Sequence, residues 1–275
     1  MISHRVTGGG GVDLHVVEAG DPKGRPIVFI HGWSQSHLAW RAQLEGERLK
    51  GFRLIAFDLR GHGVSAAPEA ASQYQDGAYW AGDVLAVIRA LKLVEPVLVG
   101  WSYGTVVIGD FLRRHRDVRL GGVVTVCGAT VMGRVENSYP PGEALKAFAG
   151  PLVGADRTAE LCAAIGFVRA AQHVAPAPEA WAAQVGWMMW TRPDVRRNMS
   201  ARLEDMRPDL ANARCPLMVM QGVEDRVVIA AQARGLAALR PDAKLLMMDG
   251  IGHQPFAEAS DAFDKAIALF AAGQA

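Results

Sequence analysis

Three side chains spread over about 150 residues of the chain carry the types needed for acyl transfer. Ser102 stands at the centre of Gly100-Trp101-Ser102-Tyr103-Gly104, the one G-x-S-x-G in the chain. A serine hydroxyl is a weak nucleophile, so it needs a base within hydrogen-bond reach and an acceptor that fixes the tautomer of that base. His253, in Gly250-Ile251-Gly252-His253-Gln254-Pro255-Phe256, is the candidate base. Asp225, in Gly222-Val223-Glu224-Asp225-Arg226, is the candidate acid, with neighbouring Glu224 and then Asp249 as rivals. Other polar residues have plainer readings. His31 and His62 stand in turns, where hydrogen bonds tie a loop together, and Asp58 after an apolar run is ordinary turn chemistry.

The elements around these residues must bring them to one place. Ile27–Ile30, Leu54–Phe57, Val97–Val99, Val123–Val126, Leu217–Met220 and Leu245–Met248 are unbroken apolar runs, as expected of strands covered on both faces. Amphipathic patterns over 77–92, 103–116, 228–239 and 257–272 predict helices between and after them. This alternation predicts an α/β fold around a mostly parallel sheet. Residues 2–6 and 12–18 alternate around Gly8-Gly9-Gly10-Gly11 and read as an antiparallel edge hairpin. Ser102 falls between strand and helix, where a tight turn lifts its hydroxyl above the sheet and a helix N-terminus faces it. His253 and Asp225 each follow a predicted strand. From 130 to 212 the strand pattern lapses into Ala- and Trp-rich helical sequence. It reads as a helical cap inserted into a core of residues 1–129 and 213–275. Trp181, Trp187, Met188, Met189 and Trp190 either fill the cap's own core or roof a pocket.

From about residue 12 onward the chain resembles an α/β-hydrolase-fold serine hydrolase. The resemblance rests on four motifs in order: His31-Gly32-Trp33, Asp58-Leu59-Arg60-Gly61-His62-Gly63-Val64-Ser65, the serine pentapeptide and Gly252-His253. The order nucleophile, acid, base, here Ser102, Asp225, His253, is that of the family. The resemblance implies that the backbone N–H groups of Trp33 and Tyr103 form an oxyanion hole. It also places the chain near the esterases, lactonases and cofactor-free haloperoxidases. Serine at the elbow, in place of aspartate, argues against the dehalogenase and epoxide hydrolase branches. The expected substrate is a small carboxylic ester or lactone with an apolar acyl or aryl group, lined by Trp33, Trp101, Tyr103, Trp187 and Trp190. A carbon-carbon bond hydrolase of diketones is the alternative enzyme, its acid-reading arginine lying somewhere among Arg192, Arg196, Arg197, Arg202 and Arg207. A slow ligand receptor on the same scaffold is the alternative from another class.

Composition closes off other classes. With 29 Lys and Arg against 28 Asp and Glu the formal charge is +1, and half of the residues are apolar, so the chain has a core and is not disordered. The longest basic run, Arg113-Arg114-His115-Arg116, is a helix-end feature, and no nucleic-acid partner is expected. Cys127, Cys162 and Cys215 form no C-x-x-C, and no G-x-G-x-x-G follows a strand, so neither a metal nor a cofactor is expected. The N-terminus lacks signal-peptide features and no apolar run nears about 18 residues, which predicts a cytoplasmic protein without a membrane partner. Nothing in the sequence sets the oligomeric state.

Overall fold

The computed structural model describes residues 1–273. Its apolar runs become strands because helices cover the sheet on both sides. In chain order the strands are β1 (Ile2–Thr7), β2 (Asp13–Gly20), β3 (Pro26–Ile30), β4 (Arg53–Phe57), β5 (Val97–Trp101), β6 (Gly122–Val126), β7 (Val131–Met132), β8 (Glu204–Asp205), β9 (Leu217–Gly222) and β10 (Lys244–Met248). Eight of them form one sheet in the order β1-β2-β4-β3-β5-β6-β9-β10. β1 and β2 pair antiparallel, Ile2 opposite Glu18, and β2 pairs antiparallel with β4; every later pairing in this sheet is parallel.

The helices are α1 (Arg41–Glu45), α2 (Ser72–Gln75), α3 (Gly77–Ala90), α4 (Tyr103–Arg114), α5 (Glu143–Leu152), α6 (Arg157–Ala171), α7 (Pro178–Trp190), α8 (Pro193–Ser200), α9 (Arg207–Ala211), α10 (Ala230–Leu239), α11 (Pro255–Glu258) and α12 (Ser260–Ala271). Side chains alternate along each central strand. Val28, Ile30, Leu98, Val123 and Val219 face one core with α3, α4 and α10, while Ile27, Phe29, Val99, Val124 and Met220 face another with Trp40 and α12. Local signals set the ends: Asp76 caps α3 by accepting the Ala78 N–H at 2.8 Å.

Two expectations need correction. The run Leu245–Met248 lies in β10, the last strand of the sheet, with a neighbour strand on one side only, so none of its residues is fully buried and Leu245 stays 38% exposed. The pattern over 257–272 is broken at Ala259 into α11 and α12. Between the short antiparallel ribbon of β7 and β8 lie α5 to α8, with a third apolar cluster that includes Leu152, Ala164, Phe167 and Met188. Beyond the ribbon, Leu210 of α9 packs into the core beside α4. No helix among the described residues is long and apolar enough to cross a membrane.

Candidate active site

The turn from β5 to α4 is built by close backbone approach. A Cβ on Gly100 would meet the Gly104 carbonyl at 2.7 Å, and one on Gly104 would meet the Ile30 oxygen at 2.3 Å, so both positions demand glycine. Between them Ser102 has φ 53° and ψ −115°, a conformation that costs energy for any side chain and is held by its surroundings. The Ser102 N–H donates to Val126 O at 2.9 Å, and its carbonyl accepts from Thr105 and Ala129. Tyr103 opens α4, so its N–H belongs to the first turn, where helical N–H groups have no intrahelical acceptor.

His253 and Asp225 meet at the same end of the sheet. Nδ1 of His253 lies 2.7 Å from Asp225 Oδ2. That carboxylate is itself fixed, its Oδ1 accepting from the Val227 and Val228 amides at 2.7 and 3.0 Å and its Oδ2 from Gln221 Nε2 at 3.0 Å. Glu224, the sequence rival, is exposed, as is Asp249. The His253 loop is bound on both sides: the Gly252 and Gln254 N–H groups donate to Glu258, and the His253 N–H donates to Ala171 O at 2.7 Å.

Ser102 and His253 open together into a cavity of about 980 Å³, which Gly32, Trp33, Trp101 and Tyr103 also line. The Gly32 loop comes close to Ser102, since a Cβ at Gly32 would stand 3.1 Å from Ser102 Cβ. Trp33 packs edge-on against Phe167, and its buried indole N–H has no partner among the described residues. The inserted helices supply Leu145, Ala149, Phe167, Val168 and Ala171 to the opposite wall.

The sequence-predicted lining is only partly assembled. Trp187 and Trp190 do not line the cavity; both sit on α7, where Trp190 is 52% exposed. Helical spacing puts a tryptophan on α7 without saying which way it faces. Trp101 and Tyr103 touch the cavity, but their polar ends are engaged elsewhere. The Trp101 indole N–H donates to His253 O at 2.8 Å, and Tyr103 Oη accepts from Arg202 Nη1 at 3.0 Å. Of the five arginines weighed as acid readers none lines the cavity, whereas Arg134 and Lys146, both exposed, do.

The remaining histidines brace loops. His31 Nδ1 donates to Gly32 O and its Nε2 accepts the Leu59 N–H. His62 Nδ1 donates to Arg60 O and its Nε2 accepts the Ser34 N–H. Burial pushes His31 down to about 4 and His62 to about 3, so both stay neutral. Burial alone would raise Asp58, yet hydrogen bonds from His15 and His37 hold it well below the usual carboxylate range. Two clusters have potential metal ligands within 4.8 Å of one another, His15–His37–Asp58 and Cys127–Asp225–His253. In the first, both rings hydrogen-bond to Asp58. In the second, burial pushes the Cys127 thiol well above its ordinary value, which opposes the thiolate a metal needs.

Sequence reasoning missed Glu258, Gln221 and the bracing role of Trp101. Glu258 left one signal, its place in the first turn of the helix after His253, where a carboxylate can accept N–H groups.

A serine elbow on a mostly parallel sheet, with a histidine and a carboxylate on the loops after β10 and β9, defines the α/β-hydrolase fold. The sequence pattern of the alpha/beta hydrolase family matches residues 27–266, and the chain belongs to that family. It is 28% identical to an AB hydrolase superfamily protein, YisY, of Bacillus subtilis (strain 168), covering 94% of this chain and 95% of that one. It is 29% identical to a non-heme haloperoxidase of Rhodococcus erythropolis, covering 90% and 92%. Among solved structures, the esterase RhEst1 from Rhodococcus sp. ECU1013 superposes with a TM-score of 0.90 at 32% identity, covering all of both chains.

Proposed function

We propose that this hydrolase cleaves a small carboxylic ester or lactone through an acyl-enzyme on Ser102. The observation that carries the reading is the buried 2.7 Å bond from His253 Nδ1 to Asp225, its imidazole lining the same cavity as the strained Ser102. His253 takes the serine proton as Ser102 attacks the acyl carbonyl, and Asp225 fixes the imidazole tautomer and stabilises the imidazolium. The Trp33 and Tyr103 amides stabilise the oxyanion; deleting one such donor typically costs about 2.7 to 4 kcal/mol of barrier stabilisation. The proton on His253 then passes to the leaving oxygen, and water activated by the same imidazole releases the acid. Hydrogen peroxide entering in place of water would give a peracid, a reading that the non-heme haloperoxidase relatives support.

Residues 130–212 act as the cap in this reading, and the apolar side chains of Leu145, Phe167, Val168 and Val227 select an apolar acyl or aryl group. The three free cysteines fit a reducing compartment, and the cytoplasm is the proposed location.

The test is intact-mass spectrometry after a fluorophosphonate probe, on wild type and Ser102→Ala, with aryl-ester turnover measured on both. One adduct mapped to Ser102 and lost turnover in the variant are expected. A folded wild type that takes no adduct and turns over no ester overturns the reading.

A further inference from the structure

One guanidinium gathers all four inserted helices onto the core. Arg196 of α8 is fully buried. Its Nη1 donates to Leu152 O at the end of α5 at 3.0 Å and pairs with Glu160 of α6; its Nη2 donates to Met188 O of α7 at 2.6 Å. The remaining donor, Nε, leaves the cap and reaches Ser34 Oγ at 2.7 Å.

Ser34 directly follows Trp33. It is fully buried with φ 58°, a left-handed conformation that a serine adopts only where its surroundings hold it. Its N–H donates to His62 Nε2 at 3.2 Å. The residue after Trp33 is therefore gripped from the core by a neutral histidine and from the cap by an arginine. Burying an arginine–glutamate pair is a poor source of stability compared with apolar packing. What it supplies is direction, because the planar guanidinium fixes several acceptors at once.

We propose that Arg196 is a positioning residue for the Trp33 amide, so that seating of the cap and assembly of the oxyanion hole are one event. The proposal rests on the serine-hydrolase reading above. An oxyanion donor works only within about 2.7 to 3.1 Å of the oxygen that develops charge, so a small displacement weakens the transition state more than the ground state.

The experiment compares wild type, Ser34→Ala, Arg196→Gln and the double variant. It measures kcat and KM for 4-nitrophenyl acetate, and inhibition by phenylboronic acid, which forms a tetrahedral adduct on an active serine. Ser34→Ala should lower kcat about tenfold or more, short of the roughly 10²-fold loss on deleting a donor, with KM within about twofold. Boronate affinity should fall by the same factor. The double variant should be no worse than Arg196→Gln alone, because both act through one bond. Val87→Ala, a buried change on α3, a helix that supplies no residue to the clamp or the cavity, should lower Tm while leaving boronate affinity unchanged. If Arg196→Gln does not fold, Ser34→Ala decides alone. Unchanged kcat and boronate affinity in Ser34→Ala, a loss confined to KM, or additive effects would overturn the clamp while leaving the hydrolase reading intact. A wild type that neither binds boronate nor turns over ester overturns both.

Discussion

The Trp101 indole N–H donates to the carbonyl oxygen of His253 at 2.8 Å, with the two rings 5.5 Å apart. The residue that precedes Ser102 thus holds the His253 loop, 152 positions further along the chain. The Trp101 ring also belongs to a packed aromatic group with Phe256 and Trp40. Trp101→Phe keeps the packing and removes the donor, leaving a buried carbonyl without that bond. It should cost about 1 to 3 kcal/mol of stability and lower kcat more than it raises KM. Urea unfolding and steady-state kinetics check the two halves separately.

Asp225 and Glu224 are separated by their surroundings. Asp225→Asn should preserve the fold and lower turnover on the order of 10⁴-fold, by leaving His253 in the wrong tautomer. Glu224→Gln, on an exposed side chain, should stay within about twofold of wild type. The reverse ranking in an ester assay would reassign the acid.

Acyl selection should follow the cavity wall and ignore the outer face of α7. Leu145→Ala and Phe167→Leu should shift preference toward longer acyl chains by about tenfold, and Trp190→Ala should leave it unchanged. A chain-length series of aryl esters decides.

Charge at the wall gives another preference. Arg134 and Lys146 line the cavity, and no carboxylate side chain does among the described residues. An aryl half-ester of a dicarboxylic acid should therefore gain over a neutral ester of equal length. The double variant Arg134→Gln/Lys146→Gln should remove an advantage of about three- to tenfold, and so should raised salt. Equal kcat/KM for the two esters in wild type would count against it.

His62 should make stability depend on pH in a known direction. Its folded value is pushed down to about 3 from an unfolded value near 6.5, so the neutral form is favoured by folding. The stabilisation is complete above about pH 6.5 and is lost progressively as pH falls towards 3. The stability gap between wild type and His62→Gln should shrink by about 2 kcal/mol from pH 7.5 to 4.5. A gap that holds constant in urea titrations at both pH values would show that His62 does not stay neutral.

The central sheet was readable because strands buried on both faces leave unbroken apolar runs, as at Ile27–Ile30 and Val97–Val99. The same signal misled at Leu245–Met248, since an edge strand only partly covered by its neighbours can still carry leucine and methionine. Ser102, Asp225 and His253 could be picked out because each falls just after a strand, where short motifs persist. Trp187 and Trp190 could not be oriented, because α7 carries apolar residues around most of its surface. The Arg196–Ser34 bond spans 162 positions and leaves no periodic trace, so only the fold brings it to light.

Glu258 accepts from Gly252 and Gln254 on either side of His253, and also from His173 and Val174 just after α6. One carboxylate thus serves two segments that would be exchanged separately if caps were swapped between relatives. A transplanted cap needs more than a matching apolar underside. Its α6 exit must present amides to Glu258 and a carbonyl to His253, so the junction sets which caps this scaffold can accept.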